Sequence, residues 1–345
     1  MTEKQMLTNV TEMLQRRQFS VQIFTDAPVD LCFEIFGSKR INLLVKVAQN
    51  IDLLNKSLLR ELSLLSYVLS AVPIIIGKQN RREPLLDGII YLREHILAMS
   101  ETTFKNLISG IKHIFGEAQR GRYVVDIDGE KLKTARNAQN ISQKALGEMI
   151  GVSSKTIRYY ESSEMKTKVE IAEKLEKILK VRLRESIDML QDLEDQVKMF
   201  EISQDQISKI AMESKKQAVE KKNKEFRGQV EDILEDIGFS VVWPSRVPFD
   251  AFVYEADKEV FDKRSFHFMG CKYELSTATP ISMRGLFTQT FIHHKFPNGG
   301  LILDDNTDEK PLKLKHIPYV KINELDLIKD PKTFQKLLLK RANWL

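Results

Sequence analysis

Cysteine is nearly missing from this chain. Cys32 and Cys271 are the only two in 345 residues, far apart and in no CxxC pair. That excludes a disulfide framework and a thiolate zinc site, and it points to an intracellular protein. Long apolar runs are missing too. The longest, about residues 62–76, is interrupted by Ser63, Ser66, Ser70 and Pro73, too short and too broken for a membrane span. The N-terminus MTEKQML lacks a signal-peptide pattern, so a soluble, cytoplasmic protein off the membrane is expected. No glycine loop of Walker or dinucleotide type occurs, and His293-His294 has no metal-ligand spacing, so neither a cofactor nor a metal is expected. Charge of one sign is scarce as well. Lysine and arginine number 53 against 48 aspartates and glutamates, a net charge of +5. This mild excess suits a nucleic acid partner without establishing one.

What is present is concentrated between Ser142 and Glu161, SQKALGEMIGVSSKTIRYYE. The spacing predicts two short helices joined by a tight turn. Ser142 caps the first, and Leu146, Met149 and Ile150 give it an inward face. Gly147 leaves room for close approach of the second helix. Gly151 stands where the turn needs positive φ, and Val152 plugs the turn. Ser153 caps the second helix, whose Ile157 and Tyr160 point to the core. Ser154, Lys155, Arg158 and Tyr159 are left facing outward. A recognition helix presents such a set to double-stranded DNA, with its N-terminal residues at base edges in the major groove. Lys155 suits guanine acceptors and Ser154 either type of base. Arg158 and Gln143 are better placed for phosphates. The predicted DNA-contact set is therefore Gln143, Ser153, Ser154, Lys155, Thr156, Arg158 and Tyr159. An ordinary pair of amphipathic helices is the plainer alternative.

Flanking helices are expected at 129–140, with Leu132 and Ala135 inward, and at 169–179, with Ile171, Leu175, Ile178 and Leu179 apolar. With these in place, residues 129–181 resemble the Cro/C1 type of phage-repressor domain. In that family a glutamine opens the second helix, as Gln143 does. The resemblance also implies a structural pair between an arginine of the first helix and a glutamate ending the third, here Arg136 and Glu161. The chain departs from the family after Glu161, where Ser162-Ser163 replaces the usual Asn-Gly.

A domain of this kind fills only part of the chain, so two or three domains are expected. The two ends resemble each other. Residues 19–30, FSVQIFTDAPVD, match 239–250, FSVVWPSRVPFD, without a gap. The match continues as Ile74–Gly77 with Leu301–Asp304, Pro84 with Pro311 and Tyr91 with Tyr319. It ends with Thr103-Phe104 and Thr333-Phe334 opening terminal helices. Each copy reads as helix, hairpin, strand, helix (about 53–69, and near 283–292), strand, strand, helix, which makes both ends α/β. Between them, 183–229 is polar, with Ile187, Leu190, Leu193, Val197 and Phe200 at helical spacing and almost no glycine or proline. The expected organisation is multidomain α/β plus all-α. It comprises an α/β domain at 1–118, the helix-turn-helix domain at 122–185, a helical linker or coiled coil at 186–228, and a second α/β domain at 229–345.

The order of elements at the ends is similar to the restriction-endonuclease or PD-(D/E)xK group, which includes Holliday-junction resolvases. In that resemblance Asp30 stands for the first acid and Lys46, inside INLLVKVAQ, for the lysine. The second acid should precede the lysine by two, on the same face of the strand. Leu44 stands there, and an apolar side chain cannot hold a hard cation. Glu34 and Glu61 are the available substitutes. In the second copy Asp250 persists, and Cys271-Lys272 is the nearest candidate for the lysine strand. The expected shell is therefore a degraded nuclease. In the plainer reading Asp30 and Asp250 are turn acids after proline, and Lys46 is an edge lysine or a residual phosphate contact. KQNRRE, 78–83, is a basic loop, only solvated in the plainer reading and otherwise placed to touch DNA backbone. The whole arrangement, through LLVKVAQNID, 73–94 and the repressor motif, is similar to a group of archaeal transcriptional regulators with a central Cro/C1-type domain. The chain is therefore expected to be a sequence-specific DNA-binding regulator, a homodimer, and no enzyme. The alternative is a metal-dependent nuclease or junction-binding enzyme. An effector, protein or small molecule, has no signature in the chain.

Overall fold

The computed structural model describes residues 2–19, 21–23, 31–35, 41–68, 71–110, 116–119, 121–185, 221–243, 250–255, 267–272, 299–306 and 318–341. Asp30, Pro28, Pro248, Pro311, the expected helix at 283–292, His293-His294 and linker residues 186–220 lie outside these.

The chain opens with helix α1 (Glu3–Arg16), held at its start by a reciprocal cap between Thr2 and Gln5. Strands β1 (Val21–Ile23), β2 (Leu31–Ile35) and β3 (Ile41–Asn50) follow, each antiparallel to the last. Helix α2 (Lys56–Val68) then crosses to β4 (Ala71–Gln79), parallel to β3. A hairpin of β5 (Ile89–Arg93) and β6 (Ile96–Ser100) places β6 parallel to β4, and helix α3 (Glu101–Ile108) closes the unit. Alternation along β3 sorts its side chains between two cores. Leu43, Val45 and Val47 pack beneath α1 and α3 with Met6, Val10, Leu14 and Phe104. Leu44 and Ala48 face the other way, with Leu58, Leu62 and Leu65 of α2.

Helix α8 (Lys221–Ile237) begins a second unit with strands β10 (Phe239–Val242), β11 (Ala251–Glu255), β12 (His267–Lys272), β13 (Gly299–Leu303) and β14 (Tyr319–Lys321). Helices α9 (Ile322–Leu325) and α10 (Pro331–Arg341) follow. The pairings run antiparallel, antiparallel, parallel, parallel, the same senses as β1-β2-β3-β4-β6. The core beneath α8 and α10 gathers Val230, Leu234, Val241, Met269, Ile302, Phe334 and Leu338. The opposite face contributes Val242, Phe252, Leu301 and Leu303 to the buried cluster that holds Leu44 and Leu62. The two copies thus share one core.

The ladders correct the residue correspondence expected from the sequence. In the first copy Val21 faces Phe33, Phe33 faces Leu43, Val45 faces Ile74 and Ile75 faces Ala98. In the second, Val241 faces Val253, Val253 faces His267, Met269 faces Gly300 and Leu301 faces Tyr319. Ile74 therefore stands with Gly300, one residue from the expected Leu301, and Tyr319 stands with Ala98, not Tyr91. A slip of one residue exchanges the two faces of a strand. Ile74 packs on the α1–α3 side, whereas Leu301 belongs to the shared core. Gly300 is small because a Cβ there would lie 2.9 Å from Pro318 O and 3.0 Å from Leu338 Cδ2.

The first sheet does not stop at β5. Strand β7 (Gly116–Gln119) pairs in parallel with it through Ile89 and Ile90. A hairpin leads to β8 (Arg122–Val125), and β8 pairs with β9 (Thr167–Lys168). Between β8 and β9 lie helices α4 (Gly129–Ala138), α5 (Gln143–Ile150) and α6 (Ser154–Glu161); α7 (Val169–Leu179) comes after. One nine-stranded sheet, β1-β2-β3-β4-β6-β5-β7-β8-β9, runs from the α/β unit into the helical unit.

Candidate nucleic-acid interface

Each residue of the α5–α6 turn has a local reason. Ser142 Oγ accepts the N–H of Ala145 at 3.0 Å, and Ser153 Oγ accepts that of Thr156 at 3.0 Å, capping both helices. Gly151 takes φ 79° and ψ 38°, the left-handed conformation that costs glycine little. At Gly147 a Cβ would lie 2.6 Å from Val152 O, so no side chain fits between the helices. Leu132, Leu146, Ile150, Ile157, Tyr160, Ala172, Leu175 and Leu179 form the core. Met149, expected inward, is 59% exposed. It sits at the edge of the helical arc defined by Leu146 and Ile150, beyond the reach of α6 and α7.

Helix α6 is fixed at its far end by a buried polar group. Arg136 Nε lies 2.5 Å from Glu161 Oε1, and Nη2 lies 3.3 Å from Oε2. Arg136 Nη1 also donates to Ile141 O at 2.7 Å. Gln143 Nε2 donates to Glu161 Oε2 at 2.6 Å. One carboxylate therefore ties α4, α5 and α6 together. Sequence reasoning missed Gly129, where a Cβ would lie 2.4 Å from Glu161 O. Beyond α6, Ser163 N–H donates to Tyr160 O and Glu164 N–H to Tyr159 O, a left-handed helix end with Ser163 at φ 56°. Lys166 then reaches Glu117 at 2.9 Å and Asp126 at 3.1 Å. Burial lowers its pKa, and the two carboxylates more than offset that, leaving it raised.

The outward face of α6 presents Ser154, Lys155 and Arg158 to solvent. Tyr159 is half-buried, with Lys155 Nζ and the Arg158 guanidinium each 5.6 Å from its ring centre. Ser153 and Thr156 share a hydroxyl contact of 2.8 Å at the helix start. Gln143 is half-buried and donates to Glu161.

The nuclease-like positions differ. Leu44 is fully buried in the shared core, and Lys46 is half-buried on the same strand. Glu61 is buried on α2. The side chain of Glu34 is outside the described residues. In the second copy Asp250 stands at a bend and is paired. It is 9% exposed and receives Arg227 Nη2 at 3.2 Å. The Arg227 guanidinium lies over the Trp243 ring, and Trp243 Nε1 donates to Glu231. The ladder sets Gly270 with Lys46 and Phe268 with Leu44. Lys272, expected near the lysine position, stands instead with Ala48, because the strand pairing counts two residues further. Among the described residues no three His, Cys, Asp or Glu side chains are grouped to hold a metal ion, and no helix is long and apolar enough to cross a membrane.

The fold and this turn define a helix-turn-helix protein built on nuclease-like α/β units. Residues 132–186 match the helix-turn-helix family, and residues 3–113 match the PD-(D/E)XK superfamily domain. A protein of Methanocaldococcus jannaschii, provisionally named an HTH-type transcriptional regulatory protein, is 30% identical over 87% of this chain and 86% of its own. One of the same name from Methanococcus maripaludis strain S2 is 31% identical over 87% of each chain. Another, from Pyrococcus furiosus, is 31% identical over 66% of this chain and 67% of its own. The chain belongs to this archaeal family. No solved structure matches it.

Proposed function

We propose that the protein is a sequence-specific transcriptional regulator that reads double-stranded DNA with α6 in the major groove. The observation behind this reading is the exposed row Ser154, Lys155 and Arg158 on a helix held by the Arg136–Glu161–Gln143 group. Ser154 and Lys155, at the N-terminal end, take the base edges. Arg158 takes phosphate, and Tyr159 supports the two cations from below. The protein acts in the cytoplasm as a homodimer, placing two such helices in successive major grooves. The α/β shells serve geometry and assembly, not phosphodiester cleavage. Leu44 and the Arg227–Asp250 pair support that view, since a metal site needs free carboxylates. The test is capture of genomic fragments by the full chain, with the ends of the bound DNA inspected after incubation with magnesium. Enriched promoter fragments with intact ends are expected. Cut or branched DNA would assign the protein to the nucleases instead.

A further inference from the structure

The basic loop 78–83 is absorbed by neither the recognition helix nor the nuclease-like shell. It is built as a fixed platform. Asn80 Oδ1 accepts the N–H groups of Arg82 and Glu83 at 2.8 and 2.9 Å. Asn50 Nδ2 donates to Asn80 O at 3.2 Å, and the Arg81 N–H donates to Asp52 Oδ2 at 3.0 Å. Lys78, Arg81 and Arg82 are left exposed.

Glu83 and Asp87 are turned to other groups, and Asp52 faces both Arg93 and Arg81. Glu83 accepts the hydroxyl of Tyr123 at 2.5 Å. Asp52 is gripped by Arg93 Nε at 2.5 Å. Burial raises the Asp52 pKa, yet its hydrogen bonds and cationic neighbours hold it below the usual range. Asp87 receives Ser100 Oγ. The Tyr123–Glu83 bond also joins the loop to the β7–β8 hairpin. Strand β8 in turn pairs with β9, six residues beyond the end of α6. Loop, hairpin and helix-turn-helix unit are thus joined by hydrogen bonds.

We propose that Lys78, Arg81 and Arg82 form a second DNA-binding surface, which grips backbone phosphates flanking the site read by α6. Guanidinium groups suit phosphate oxygens, and a surface held in place by its own turn loses little freedom on binding. The nuclease-like domain would then contribute affinity without sequence information. This inference rests on the reading of α6 as the recognition helix.

The experiment uses the full chain, a promoter fragment recovered from the genomic capture and a scrambled duplex of equal length. It compares wild-type, the triple variant Lys78→Gln/Arg81→Gln/Arg82→Gln, and Ser154→Ala/Lys155→Ala. The triple variant should weaken both duplexes alike and cut the slope of log K against log salt by about 2–3, near one unit for each phosphate no longer bound. Its hydroxyl-radical footprint should shrink at the flanks and persist at the centre. All substituted residues are exposed, so matching melting curves exclude misfolding. Wild-type slope and footprint in the triple variant would overturn the second surface and leave α6 as reader. If the triple variant loses binding while Ser154→Ala/Lys155→Ala keeps its sequence preference, the surface stands and the α6 reading falls. No binding by the wild-type chain would overturn both.

Discussion

Gln143 donates its side-chain amide to Glu161 at 2.6 Å, on the carboxylate oxygen that also receives Arg136 Nη2. The residue that opens α5 is therefore bonded to the residue that ends α6. The arginine is 11% and the glutamate 5% exposed at the side chain, so the pair is shielded from the water that makes surface ion pairs weak. Breaking such a pair leaves an uncompensated buried charge.

Glu161→Ala should destabilise the helical unit by about 3–5 kcal/mol, since Arg136 would remain buried without its partner. Hydrogen exchange of the amides of Leu132, Leu146 and Ile157 reads this directly. Wild-type protection in the variant would mean that the pair contributes nothing.

Ser154→Ala with Lys155→Ala should reduce discrimination among duplexes by about 1–3 kcal/mol for each good base-edge hydrogen bond removed. Arg158→Ala should instead weaken all duplexes alike and flatten the salt dependence by about one unit. Competition binding with matched and mutated promoter fragments separates the two behaviours. Identical preferences in both variants would place readout elsewhere in the chain.

Ser163→Gly should stabilise the protein by about 1 kcal/mol, because Ser163 holds φ 56° at the helix end, where glycine pays no Cβ penalty. Urea unfolding gives the sign. A loss of stability would show that the serine side chain has a compensating role.

Duplex and branched DNA should stay intact with magnesium or manganese, and neither ion should raise the melting temperature, because ligand linkage needs a real site. Cleavage that disappears in Asp30→Ala would refute this. Lys46→Ala should alter affinity modestly at most.

Glu324 provides an acid-sensitive contact. Its hydrogen bond to Arg341 is the main cause that lowers its pKa from 4.5 to about 2. A depressed folded-state pKa means stability fully present above the ordinary value of 4.5 and lost as pH falls toward about 2. Arg341→Ala should flatten stability across that window and leave the slope above it unchanged, which acid titration of unfolding can show.

The helix-turn-helix was legible because it is local. Capping serines, the two glycines and the apolar spacing all act within twenty residues. Met149 was misplaced because an apolar residue at the rim of a helical arc looks the same in sequence whether or not a neighbour covers it. The strand order of the two ends was legible, and the ladders show matching pairings, while the helix expected at 283–292 lies outside the described residues. The register was not legible, because a strand pattern constrains parity only when each face is known, and both faces here are apolar. The Arg227–Asp250 pair was invisible, since it joins a helix to a bend across 23 residues. Among the described residues the β5–β7 ladder pairs only Ile89 with Gly116 and Ile90 with Glu117, beside a hydrogen bond from Gly116 N–H to Gly88 O. No periodicity announces so short a contact.

In the proposed reading, that short pairing decides how α6 meets DNA. Because β7, β8 and β9 extend the sheet of the α/β unit, α6 is aimed by the body of the protein and does not swing on a leash. Little orientational entropy is then spent on docking. In the proposed homodimer the distance between the two recognition helices would be set by how two bodies abut, so tolerance of altered half-site spacing on DNA should be low.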